Sequence, residues 1–95
     1  MEPSKIWTGR NKTLNILVQL KLFNLGYSWV GEKKLKFSDR AYYIAVNSGL
    51  DLTFRGGEIF GAMEDFEEED GRTQIQGEDF VEDSELDWKQ ICKQN

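Results

Sequence analysis

The segment from Asn11 to Gly26 constrains this chain more than any other. Asn11 stands where a side-chain oxygen accepts from the first free amides of a helix, and Gly26 stands at the C′ position, where glycine turns left-handed without steric cost. At 100° per residue, Leu14, Leu17, Val18, Leu22 and Leu25 gather on one side of that helix, while Ile16, Leu20 and Phe23 gather on nearly the opposite side. Two apolar stripes require two partners. One is expected to lie on a sheet. The other needs the C-terminal segment, a second copy of the chain or a target protein, and burial of both within one domain is the favoured expectation. Ile16, Leu20 and Phe23 are accordingly candidates for self-association into a homo-oligomer.

On either side of the helix the pattern changes to period two. Residues 5–8 are short, β-branched and aromatic and end at Gly9, which predicts a first strand. Residues 27–30 and 33–37, separated by Gly31-Glu32, alternate as a half-exposed hairpin with Leu35 and Phe37 inward. Residues 41–46 suit a central strand, and Asn47-Ser48-Gly49 turns the chain into another strand over 50–54. After Gly56-Gly57, a short packed turn containing Ile59, Phe60 and Met63 is expected. Asp70-Gly71 signals a hairpin before a last strand at 73–76, and a capping box from Ser84 begins a brief helix carrying Leu86, Trp88 and Ile91. The expectation is an α+β fold: one helix packed on a small antiparallel β-sheet, a β-α-β-β-β-β meander, with an acidic C-terminal segment and a short terminal helix. It forms a single domain over 1–95, with the core in 5–57 and the acidic segment, 58–95, packed on it.

Composition bounds the chemistry. Apolar residues at 39% and aromatics at 13% supply enough hydrophobic area to order the chain despite 31% charged residues. No apolar run nears the roughly 20 residues of a membrane span, and Met-Glu-Pro-Ser lacks a signal peptide's layout, so a soluble, cytoplasmic protein is expected. Cys92 is the single cysteine and histidine is absent, which removes the usual zinc, haem and iron–sulfur ligand sets and the commonest acid–base and nucleophile pairs. No metal, no cofactor and no enzymatic activity is expected. Charge is divided: residues 1–57 hold nine Lys/Arg against four Asp/Glu, and residues 58–95 hold three against thirteen.

The acidic half is concentrated in "DFEEEDGRTQIQGEDF", residues 65–80, with seven acids and one base. A calcium loop begun at Asp65 would place Glu67 and Glu69 correctly but Asp70 where glycine is needed, and a frame using Gly71 loses two ligands. Mimicry of nucleic acid would require carboxylates over most of the surface, against the basic first half. A disordered tail is opposed by Phe60, Met63, Phe66, Ile75, Phe80, Leu86 and Trp88, which recur through the segment. A solvated acidic face or loop is the plain reading, and an ordered acidic surface pinned by these residues is the functional one. Glu64, Asp65, Glu67, Glu68, Glu69 and Asp70 would steer association toward a basic surface on a partner protein, with Phe66 and Trp88 as anchors. A second group, Trp29, Lys33, Lys34, Arg40, Tyr42 and Tyr43, could stack on and neutralise a nucleotide, though strand alternation sends half its rings into the core. Direct nucleic-acid binding is not expected. A nucleotide-sequestering oligomer is the alternative function, and a DNA mimic a further one.

The stretches "VQLKLFNLGYSW" (18–29), "YYIAV" (42–46) and "TQIQGEDF" (73–80) together resemble a recurrent type of small protein encoded by tailed bacteriophages. The likeness spans roughly residues 5–80 and is one of structural pattern. It brings no family-wide activity and no functional residues. It implies a context, in which small phage accessory proteins bind and disable a host protein or sequester a signal used in host defence. The long acidic segment and the end around Trp88 depart from the type.

Overall fold

A computed structural model describes residues 2–31 and 37–82. The elements are β1 (Ser4–Trp7), α1 (Lys12–Asn24), β2 (Ser28–Trp29), β3 (Tyr43–Val46), β4 (Asp51–Arg55), α2 (Ile59–Glu67), β5 (Thr73–Gln76) and α3 (Gly77–Glu82). The α+β class is as expected. The strand expected at 33–37, all but Phe37, and the terminal helix with Trp88 lie outside the described residues.

Both caps of α1 form. The Asn11 side chain accepts from the Leu14 amide at 3.0 Å. At the other end Gly26 takes φ +99°, its N–H donates to the Phe23 carbonyl, and the Tyr27 N–H donates to the Leu22 carbonyl, so two of the helix's last carbonyls are satisfied.

The sheet runs β2-β4-β3-β1-β5. It is mixed rather than wholly antiparallel: β3 is antiparallel to both β1 and β4, whereas β5 runs parallel to β1 and β2 parallel to β4. The reason is the connections. A helix spans β1 to β2 and another spans β4 to β5, and a helical crossover returns the chain in the same direction. The short turn expected after Gly57 is in fact α2, so no meander can follow it. The two crossovers cross the sheet in opposite senses, and one common hand therefore puts their helices on opposite faces.

Strand alternation divides the residues accordingly. On the α1 face, Ile6, Ile44, Val46 and Leu52 meet Leu14, Leu17, Val18 and Leu22, with Phe80 and Val81 of α3 closing one side. On the other face lie Lys5, Trp7, Tyr43 and Arg55, under α2. Burial of α1 extends beyond its leucine stripe. Asn15 and Gln19 are also buried, and they clamp Ser38: the Asn15 amide and the Gln19 amide both donate to the Ser38 carbonyl, and the Ser38 N–H donates to Gln19 Oε1 at 2.7 Å. This polar clamp covers the flank of the helix, and the Phe23–Phe37 ring contact, 5.4 Å between centroids, covers one residue of its second stripe, while Ile16 stays exposed and Leu20 half-buried.

Gln19→Leu removes the bond from the half-buried Ser38 N–H and leaves the Ser38 carbonyl with the Asn15 amide alone of the two side chains. It should lower unfolding free energy by about 2 kcal/mol in urea denaturation, despite the greater apolarity of the new side chain.

Candidate functional site

Helix α2 carries the start of the acidic run, and its sequence is poorly suited to stand alone. Its N-cap, Glu58, makes no side-chain cap bond, and its last turn holds no basic residue. Glu64, Asp65 and Glu67 crowd its C-terminal end, where the helix dipole is already negative. The missing cation comes from β1. Lys5, 1% exposed, extends beneath the helix end, donates to the carbonyls of Asp65 (2.9 Å) and Glu68 (2.8 Å), and pairs with Asp70 Oδ2 at 3.3 Å. One ammonium thus caps the helix and holds the turn that follows it.

Apolar contacts complete the attachment. Ala62 and Phe66 are buried toward the sheet, and the Phe66 ring lies 5.4 Å from Trp7 and 5.9 Å from Tyr43. Arg55 Nε meets Asp65 Oδ2 at 2.7 Å. Past the helix, Asp70 accepts from the Arg72 amide, and the Arg72 guanidinium donates to the Val46 carbonyl and Asn47 Oδ1, which seats β5. Partial desolvation raises the Asp70 carboxyl, but the Arg72 amide and the Lys5 ammonium outweigh it and hold the group below its ordinary range. Burial, then the Asp65 carboxylate, push the Tyr43 phenol above its ordinary value.

The acidic residues therefore have two roles. Asp65 and Asp70 are tied inward. Glu64, Glu67, Glu68 and Glu69 are exposed and enter no ion pair among the described residues. Phe66, expected as an anchor, points into the fold, while Phe60 is 75% exposed and Met63 39%. Phe60, Met63, Glu64 and Glu67 follow i, i+3, i+4, i+7 spacing, a single outward stripe on α2. Helical phase was the signal for this: Ile59, Ala62 and Phe66 occupy the inward positions, which leaves Phe60 outside.

The second expected group is split by the sheet. Trp29 and Arg40 meet at a cavity of about 520 Å³, which Phe37 and Phe54 also line. Tyr42 lies with Arg40 in an adjoining cavity of about 250 Å³. Tyr43, the next residue on the strand, is on the opposite face against Phe66. Lys33 and Lys34 lie outside the described residues. Of the self-association candidates, Ile16 is exposed, Leu20 half-buried, and Phe23 is packed against Trp29 and Phe37. Among the described residues no group of three or more acidic or cysteine side chains is placed to hold a metal ion, and no helix is long and apolar enough to cross a membrane.

Comparison with protein-family models, with curated proteins and with solved structures finds no match.

Two substitutions separate the inward ring from the outward one. Phe66→Ala should cost about 3 kcal/mol of stability, and Phe60→Ala should stay within about 0.5 kcal/mol of the parent, both read by urea denaturation. Asp70→Asn should be less stable than the parent at neutral pH. Because the folded-state carboxyl titrates below the unfolded one, the difference is fully present above the unfolded carboxylate range and vanishes as pH falls through the lowered folded one.

Proposed function

We propose that this chain is a non-enzymatic binding protein that docks a basic surface of a host protein through the outward stripe of α2 and acts by occlusion, as a phage-encoded inhibitor or modulator would. The observation that carries the reading is Phe60, a ring 75% exposed on a helix held down at its far end by a buried lysine. Phe60 begins a stripe that continues through Met63 to the carboxylates of Glu64 and Glu67, it is the most exposed of the large hydrophobics among the described residues, and an aromatic anchor beside charge is how binding energy concentrates at protein interfaces. The stripe has the spacing with which helices fill grooves on their targets. Because Lys5 and Phe66 order the helix before any encounter, little entropy remains to be lost on docking.

Glu64, Glu67, Glu68 and Glu69 supply the long-range part. Their charge speeds encounter with a basic partner and repels acidic ones, while Phe60 and Met63 determine how long the complex lasts. The resemblance to small tailed-phage proteins supports a partner in the host cell cytoplasm. Nucleic-acid mimicry is less well supported, since Arg10, Lys12 and Arg40 form a cationic region on the same small domain.

The test is capture from host extract with the parent and two variants, followed by binding kinetics on the captured protein. Phe60→Ala should weaken the complex by about thirtyfold, mainly through faster dissociation. The Glu64→Gln, Glu67→Gln double variant should slow association and flatten its salt dependence. Capture and kinetics indifferent to all three changes at low ionic strength would remove this function.

A further inference from the structure

Asp39 and Arg40 form a wall shared by two cavities of different character. On one side, Trp29, Phe37 and Phe54 surround the larger cavity, with Phe37 49% and Phe54 45% exposed and the Trp29 and Phe54 rings 5.5 Å apart, edge to face. On the other, Arg10, Lys12 and Tyr42 line the smaller one. Arg10, Lys12 and Arg40 enter no ion pair among the described residues, so three cations border this wall against one carboxylate, Asp39. The wall is held from both sides. Gln19 and Asn15 fix Ser38 next to it, and the chain at Gly56 passes so close that any side chain there would collide with the Arg40 carbonyl oxygen.

We propose that the two cavities together bind one small ligand of the mononucleotide class. Its flat heteroaromatic ring lies among Trp29, Phe37 and Phe54, and its phosphate lies against Arg10, Lys12 and Arg40. Asp39 accepts a hydrogen bond from a ring N–H or a sugar hydroxyl. The larger cavity falls within the size range of small-molecule sites. Every base offers a π-face and polarised edges to such rings, and guanidinium groups match phosphate oxygens in bidentate fashion. Simpler ligands fit less well. A neutral apolar molecule would leave the three cations without a counter-charge, and a bare inorganic anion would leave the Phe37 and Phe54 rings exposed. A long nucleic-acid strand is disfavoured by the net charge of −5. The site is on the α1 side of the sheet, away from the α2 stripe, so the two sites are independently testable.

The experiment is a titration of the full-length, isotope-labelled chain, followed through backbone amide resonances, with adenosine, guanosine and uridine monophosphates, the three nucleosides, and inorganic phosphate. At least one monophosphate should saturate and shift amides of both groups, 29–30 with 52–54 and 10–12 with 40–42. Its nucleoside should shift only the first group and inorganic phosphate only the second, each about tenfold more weakly. Arg40→Ala should weaken the monophosphate about tenfold. Exposed Lys12→Ala provides a second reading that does not depend on the wall staying intact, and Phe60→Ala should leave affinity unchanged. Absence of saturation by all three monophosphates up to millimolar concentration, shifts confined to α2, or affinity insensitive to both Arg40→Ala and Lys12→Ala would overturn the proposal.

Discussion

Lys5 is the point on which the two halves of the molecule depend. A buried ammonium is costly to desolvate, and it persists only where its hydrogens are matched by acceptors. Here two carbonyls at the end of α2 and the Asp70 carboxylate provide them. The exchange is mutual. An acidic helix end with no basic residue of its own gains its cation from a strand sixty residues earlier, and the strand's lysine gains the acceptors that make its burial tolerable. Without that contact, repulsion among Glu64, Asp65, Glu67, Glu68 and Glu69 is opposed only by the more exposed Arg55–Asp65 pair among the described residues.

This constraint propagates into topology. A helical connection after β4 forces β5 to return parallel to β1, and Arg72 then fixes the strand by reaching the end of β3. The sheet is left with a helix-packed core on one face and a smaller, charged layer on the other. Each face carries its own surface feature, a ring-and-carboxylate stripe outside α2 and a paired aromatic and cationic cavity beside α1. The stripe is built on a helix, whereas the cavities lie where residues 9–11 and 37–42 meet the ends of β2, β4 and α1.

Local signals were legible in the sequence and distant ones were not. The ends of α1 could be read because Asn11 and Gly26 act within their own turn. Trp29 and Arg40 line one cavity, but Arg40 gets there through a loop, and strand alternation carries Tyr43 to the other face, away from Tyr42. The helical character of 59–67 was hidden by Gly61 and by acids at the unfavourable end, and its cap is supplied by a residue remote in sequence. Phe66 and Phe60 exchange their expected roles for this reason alone, since only the phase of a helix decides which of them points outward. Gln19 was read as one residue of a pattern; its burial depends on the backbone of Ser38, which no periodicity reveals. The charge of Glu64 and Glu67 to Glu69 was plain from composition, and its arrangement as a surface depended on α2.

The most direct test of this account is hydrogen exchange on the parent and on Lys5→Met, which keeps the buried stem and removes the charge. In the parent, amides of α2 from Met63 to Glu67 should be protected well above a random coil and open together with the turn at 68–72. In Lys5→Met those amides should lose protection while β3 and the core-facing amides of α1 keep theirs. Equal protection of α2 in both proteins, or an unprotected α2 in the parent, would contradict the claim that one buried lysine orders the acidic surface.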